Sequence, residues 1–156
     1  MSKVVVDGID RKILRLLIRN ARMPFLEIAR ECGVSGAAIH QRIKKLEDAG
    51  VILGSRLEID PKKLGFGVCA FINISTSDNS LQMQTVETLR RVPEIVECHF
   101  ITGTYNVMVK LYCIDNDHLM NTIFDHILSI PGISSTQTYI SLNEQFSRQV
   151  CIDKML

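Results

Sequence analysis

The chain has 156 residues, 46% of them hydrophobic, which is ample for a core and argues against disorder. Its net charge of +1 hides an asymmetry: residues 1–65 hold thirteen Lys and Arg against eight Asp and Glu, and residues 66–156 hold five against nine. Basic charge gathered in the first part suits phosphate contacts there, and the acidic remainder argues against a chain that simply coats nucleic acid.

In chain order, the first predicted element is a helix that Asp10 can cap, with Ile9, Ile13, Leu14 and Leu17 as its buried stripe and Asn20 near its end. Phe25 to Cys32 repeats the pattern with apolar residues at 25, 28, 29 and 32. Gly33-Val34 supplies a tight turn, and Ser35 is a ready N-cap for a third helix. There Ile39, Ile43 and Leu46 fall at i, i+4 and i+7 and face inward, leaving Gly36, Ala37, His40, Gln41 and Lys44 on the opposite side. Two helices joined in this way place the second in a DNA major groove. Small residues at its start (Ser35, Gly36, Ala37) permit close approach. Ala37, His40 and Gln41 are candidates for base edges, and Arg42, Lys44 and Lys45 for phosphates. Arg42 has a second option, a carboxylate inside the domain. An ordinary helical hairpin with a solvated basic face is the bland alternative.

Val51 to Ile59 reads as an extended segment and is expected to form a linker strand, with breaks at Asp60-Pro61 and Gly65-x-Gly67. Beyond it the expected elements are strands at Val68–Ser75, Ile95–Thr102, Val107–Cys113 and Ser134–Leu142, and helices at Leu81–Val92 and His118–Ile130. Val86 and Leu89 should face inward on the first helix, and Leu119, Ile123, Ile127 and Ile130 on the second. Val92-Pro93-Glu94-Ile95 and Ile130-Pro131-Gly132-Ile133 both stop a helix with proline and restart a strand, 38 residues apart. The order βαββαβ predicts an α+β, ferredoxin-like sandwich with both helices on one face of an antiparallel sheet. Phe71, Phe100 and the apolar strands suggest that the other face is covered too, most simply by a second copy. The expected domains are 1–50 (helix-turn-helix), 51–65 (linker strand) and 66–156 (ferredoxin-like).

Other chemistries fit poorly. Cys32, Cys69, Cys98, Cys113 and Cys151 are odd in number, widely spaced and without a C-x-x-C pair, so buried free thiols are expected rather than zinc or disulfides. Cys98 and His99, as strand neighbours, point to opposite faces and cannot form a dyad. His40, His118 and His126 lack metal-ligand spacing, and there is no Gly-rich phosphate loop. Neither an enzyme, a metal site nor a cofactor is expected. No apolar run spans a bilayer, and MSKVVVDGID is too short in apolar residues for a signal peptide, so a cytoplasmic location is expected.

Specific residues now carry a resemblance. Asp10-Arg11-x-Ile13-Leu14, Asn20-Ala21-Arg22, Leu26-Glu27-Ile28-Ala29, Gly33-Val34-Ser35, Arg42-Ile43-Lys44-Lys45-Leu46-Glu47 and Gly50-Val51-Ile52 resemble the DNA-binding half of the Lrp/AsnC, or feast/famine, transcription regulators. Glu97-Cys98-His99, Thr102-Gly103-x-Tyr105 and Pro131-Gly132-Ile133 look like that family's effector-binding domain, so the likeness covers nearly the whole chain. Ser135-Thr136-x-Thr138, and Asn106 where many leucine-responsive members place an acidic residue, make the likeness greatest to the asparagine-responsive branch.

The resemblance implies double-stranded DNA as a partner, a small effector, usually an amino acid, and a homodimer that builds an octamer. Pockets between subunits would couple binding to assembly. The Gly103-Thr104-Tyr105-Asn106 turn can present consecutive N–H groups to an α-carboxylate, Tyr105 can close over the ligand, and Asn106, Thr136, Gln137 and Thr138 can read a polar side chain. A plain hairpin turn and strand end is the bland reading of the same residues. The competing function is a stand-alone amino-acid sensor whose helical domain makes protein contacts only.

Overall fold

The computed structural model describes residues 5–77 and 82–152. The chain divides into two compact units, one of Met1–Glu58 with Phe146–Leu156 and one of Ile59–Gln145.

The first unit holds three helices, α1 (Gly8–Arg19), α2 (Phe25–Cys32) and α3 (Gly36–Asp48). Ile13, Ile28, Ala29, Ile39 and Ile43 form their shared core. The α1 cap differs from the sequence expectation. Asp7 is the N-cap, accepting from the Asp10 N–H at 2.8 Å, and Asp10 answers by accepting from the Asp7 N–H at 3.2 Å. Asp10 therefore sits at the third helical position, the reciprocal half of a capping box. Gly33 ends α2 in the left-handed region at φ +68°, where glycine meets no Cβ penalty. Ser35 Oγ accepts from the Ala38 N–H at 3.2 Å and starts α3 as expected.

A second apolar cluster joins Val6, Leu14 and Leu46 to Ile152, with Val51 and Ile52 packed against it. Residues 146–152 thus pack with the helical unit, although 66–156 is the expected extent of the second domain. The expected linker strand is corrected. Residues 52–60 pair with no strand among the described residues, and Lys62–Leu64 make a single 3₁₀ turn. Apolar residues spaced for a strand form one only where a neighbouring edge offers hydrogen bonds.

The second unit has strands β1 (Val68–Thr76), β2 (Ile95–Phe100), β3 (Val107–Cys113) and β4 (Ile133–Ser141). They form one antiparallel sheet in the order β2-β3-β1-β4, the predicted ferredoxin-like arrangement. Helix α4 spans Gln82–Leu89, while Leu81 lies outside the described residues. Helix α5 spans Asn116–Asn121 and continues as a π-helical turn over Thr122–Ile127. The predicted regular helix to Ile130 is widened there. Thr122 Oγ1 donates to the His118 carbonyl at 2.8 Å and competes with the helical ladder, and the Leu128 N–H reaches five residues back to Ile123.

Ala70, Ile72 and Ile74 of β1 and Val107, Val109 and Leu111 of β3 pack against Leu89, Leu119, Ile127 and Ile130. Thr85, rather than the half-buried Val86, shares the inner side of α4 with Leu89. The register places Phe100 opposite Val107, hence on the helix side of the sheet, not on the open face where the sequence had it. Phe71 does lie on the open face, opposite Lys110 and Tyr139. Cys98 pairs with Val109 and His99 with Met108, so their side chains leave the sheet on opposite sides. Of the five free thiols Cys113 alone is buried, and Cys98 and Cys151 are exposed, contrary to the expectation of burial.

Candidate functional site

On α3, Ile39, Ile43 and Leu46 are buried, while Ala37, His40, Gln41, Lys44 and Lys45 are exposed and Gly36 is half-buried. The amphipathic division read from the sequence is therefore present. The His40 ring meets Phe25 edge-on, with centroids 4.5 Å apart and an angle of 76°. Phe25 thereby limits the rotation of the imidazole, a contact that no sequence pattern announces. A groove of about 470 Å³ runs past Phe25, His40, Gln41 and Lys44 and ends at Glu47 and Asp48. Glu47 and Asp48 bring negative charge into the same lining as Lys44.

Arg42 is corrected. Its Nη1 donates to Asp7 Oδ2 at 2.6 Å and to Asp10 Oδ1 at 2.7 Å, so the guanidinium is engaged inside the unit instead of facing outward for phosphate. Asp10 is fully buried, and Arg42 retains 28% side-chain exposure. The Asp10 N–H and then Arg42 hold the Asp7 carboxyl below its usual range, and the two carboxylates push the Arg42 guanidinium upward. Lys45 lies 3.8 Å from Asp10 Oδ2 but is 57% exposed, leaving it free to swing outward. The network brings Asp7 and Asp10, at the start of α1, against Arg42 and Lys45 of α3.

In the sheet unit, the turn at 103–106 and the first part of β4 flank the same end of β1. Ser75 Oγ donates to the Thr104 carbonyl at 3.2 Å, and the Asn106 N–H donates to Ile74 at 3.2 Å. Across β1, Ile74 pairs with Thr136 and Ser75 with Ser135. Gly103 takes φ +115°, a conformation the turn needs and a Cβ resists. Tyr105 is half-buried beside it.

Two of the expected effector residues behave differently from their reading. Asn106 is turned inward: Nδ2 donates to Thr76 Oγ1 at 2.7 Å and Oδ1 accepts from the Thr76 N–H at 3.2 Å. Gln137 pairs with Asn73 on the open face, whereas Thr136 and Thr138 pair with Ile74 and Ile72 on the helix side. Strand alternation therefore sends Gln137 and the two threonines to opposite faces of β4.

Comparison with known proteins agrees with both units. The AsnC-type helix-turn-helix domain matches residues 6–47, and the Lrp/AsnC ligand binding domain matches residues 69–150. The chain is 34% identical to the regulatory protein AsnC of Escherichia coli over 150 residues, covering 96% of this chain and 99% of that protein. It is 36% identical to the HTH-type transcriptional regulator FL11 of Pyrococcus horikoshii, covering 90% of this chain and 91% of that one. The E. coli AsnC structure superposes with a TM-score of 0.88, covering 94% and 99% of the two chains at 34% identity. The feast or famine regulatory protein of M. tuberculosis complexed with L-methionine gives 0.88 at 26% identity, covering 95% and 99%. A three-helix reading unit, a four-stranded sheet and these matches over both agree: this chain belongs to the Lrp/AsnC family of transcriptional regulators.

Proposed function

We propose that the protein reads DNA sequence with α3 and that an amino acid bound at the sheet unit alters that reading or the assembly that presents it. The observation that carries the first half is the division of α3, with three aliphatic side chains inside and Ala37, His40, Gln41 and Lys44 all outside on one exposed side. Ala37, His40 and Gln41 meet base edges, Lys44 and Lys45 meet phosphates, and Ser35 and Gly36 let the helix start approach the backbone. Arg42 is left out of the contact set.

For the effector, the backbone of Gly103, Thr104 and Tyr105 accepts the carboxylate, the Tyr105 ring covers the ligand, and Thr136 with Thr138 supplies hydroxyls. Asn106 shapes the turn from behind. Complexes of L-methionine with the M. tuberculosis protein and with the regulator NMB0573 of Neisseria meningitidis support an amino acid as the ligand class. The open sheet face carries Phe71, Met108, Tyr112 and Tyr139, an apolar surface that a second copy covers to make a homodimer. Dimers then assemble to an octamer in the cytoplasm, where the DNA is. No described helix is long and apolar enough to cross a membrane.

Two measurements test this. Thermal-shift screening against the twenty amino acids, repeated with Tyr105→Ala, identifies the ligand, and a shift that survives the substitution moves the pocket elsewhere. Affinity for duplex DNA at several salt concentrations tests the first half. Lys44→Ala lowers the slope of log K against log salt by about 0.9, one phosphate's worth. Absence of salt-sensitive binding turns the reading towards a sensor whose helices contact protein.

A further inference from the structure

Resting on the DNA-reading role of α3, we propose that Arg42, Asp10 and Asp7 form a positioning network that sets the angle of the reading helix without touching DNA. Each carboxylate is divided between two tasks. One Asp7 oxygen caps α1 through the Asp10 N–H while the other takes Arg42, and one Asp10 oxygen receives the Asp7 N–H while the other takes Arg42. A single guanidinium nitrogen thus joins the first turn of α1 to the middle of α3.

The geometry gives this join its force. Asp10 is fully buried, so its charge requires a partner, and Arg42 is the residue that reaches it at hydrogen-bonding distance. Arg42 lies one residue after Gln41 and one before the buried Ile43, between the reading side and the core side of α3. Apolar burial of Ile39, Ile43 and Leu46 is non-directional, whereas short charged hydrogen bonds fix a distance and an angle. The core therefore holds α3 in the unit, and the network fixes which way Ala37, His40 and Gln41 point.

Three roles for Arg42 give three different results. Affinities of folded, full-length variants are measured for a duplex selected from a random pool by the wild-type protein and for a random-sequence duplex, each across a salt series. Positioning predicts that Arg42→Gln and Asp10→Asn each weaken the selected duplex roughly tenfold, the value of one misplaced base contact. Binding to the random duplex, which rests on Lys44 and Lys45, stays within about twofold with its salt slope unchanged. The double variant loses little beyond either single one, because both break one network. A phosphate contact by Arg42 would instead weaken both duplexes and lower the slope as Lys44→Ala does, which overturns the proposal. Equal loss on both duplexes at unchanged slope signals lost folded protein and overturns it as well. Should Asp10→Asn melt below the assay temperature, Asp7→Asn, at the half-exposed end of the network, carries the same test with a smaller loss of selectivity. Wild-type protein that binds neither duplex would remove the DNA-reading role itself, an outcome distinct from slope loss in the Arg42 variant.

Discussion

Asn106 closes a two-point clamp on Thr76, giving Nδ2 to the threonine hydroxyl at 2.7 Å and taking the threonine N–H on Oδ1 at 3.2 Å. The clamp ties the 103–106 turn to the last residue of β1. Asn106→Leu removes both hydrogen bonds at a partly buried place and costs about 1–3 kcal/mol. Asn106→Asp keeps an acceptor for the N–H, and the Thr76 hydroxyl can reverse to donate. We expect a clear fall in melting temperature for the leucine variant and a small one for the aspartate variant. Equal falls would mean that the clamp is not what holds the turn.

Ile152 retains 7% exposure in the cluster of Val6, Leu14 and Leu46. Ile152→Ala opens a hole there, costing about 2 kcal/mol. Hydrogen exchange should speed up at Leu14 and Leu46 and stay unchanged at Ile72 and Val109. Uniform change across both units would contradict the assignment of the C-terminal segment to the helical unit.

Acid should loosen the helical unit through Asp7. Its folded carboxyl titrates below the ordinary 3.8, chiefly through the Asp10 N–H and then Arg42. Stability from that carboxylate is complete above about pH 4 and drains as the pH falls through the lowered folded value. Asp7→Asn therefore flattens the acid limb of a stability-against-pH curve below about pH 4. A limb as steep as that of the wild type would remove Asp7 as a contributor.

Gly67 has no room for a side chain. A Cβ there would stand 2.8 Å from the Ile114 carbonyl oxygen, the same atom that accepts the Gly67 N–H at 3.0 Å. Gly67→Ala must push backbone apart just before β1 and should cost about 1–3 kcal/mol. Denaturant unfolding of the sheet unit checks it, and an unchanged midpoint would show that the chain relaxes freely there.

Periodicity carried most of the fold. Ile39, Ile43 and Leu46 at helical spacing, and the alternating β1 and β3, were readable because burying one side of an element writes a period into the chain itself. Turn chemistry was equally local, and Gly33 and Ser35 stand where their conformational and capping properties placed them. The segment Val51–Ile59 is strand-like in pattern yet forms no strand, because a strand is defined by its neighbour and none among the described residues pairs with it.

Composition, periodicity and the motifs in both halves determined by themselves a helix-turn-helix unit followed by a ferredoxin-like sheet. Only the tertiary structure decided which partners the long-range polar groups took: Arg42 took Asp10, and Asn106 took Thr76. The reason is physical. Apolar burial follows from a residue's place in its own element, whereas a hydrogen bond needs a partner at one distance and one angle. These partners stand 32 residues away for Arg42 and 30 for Asn106.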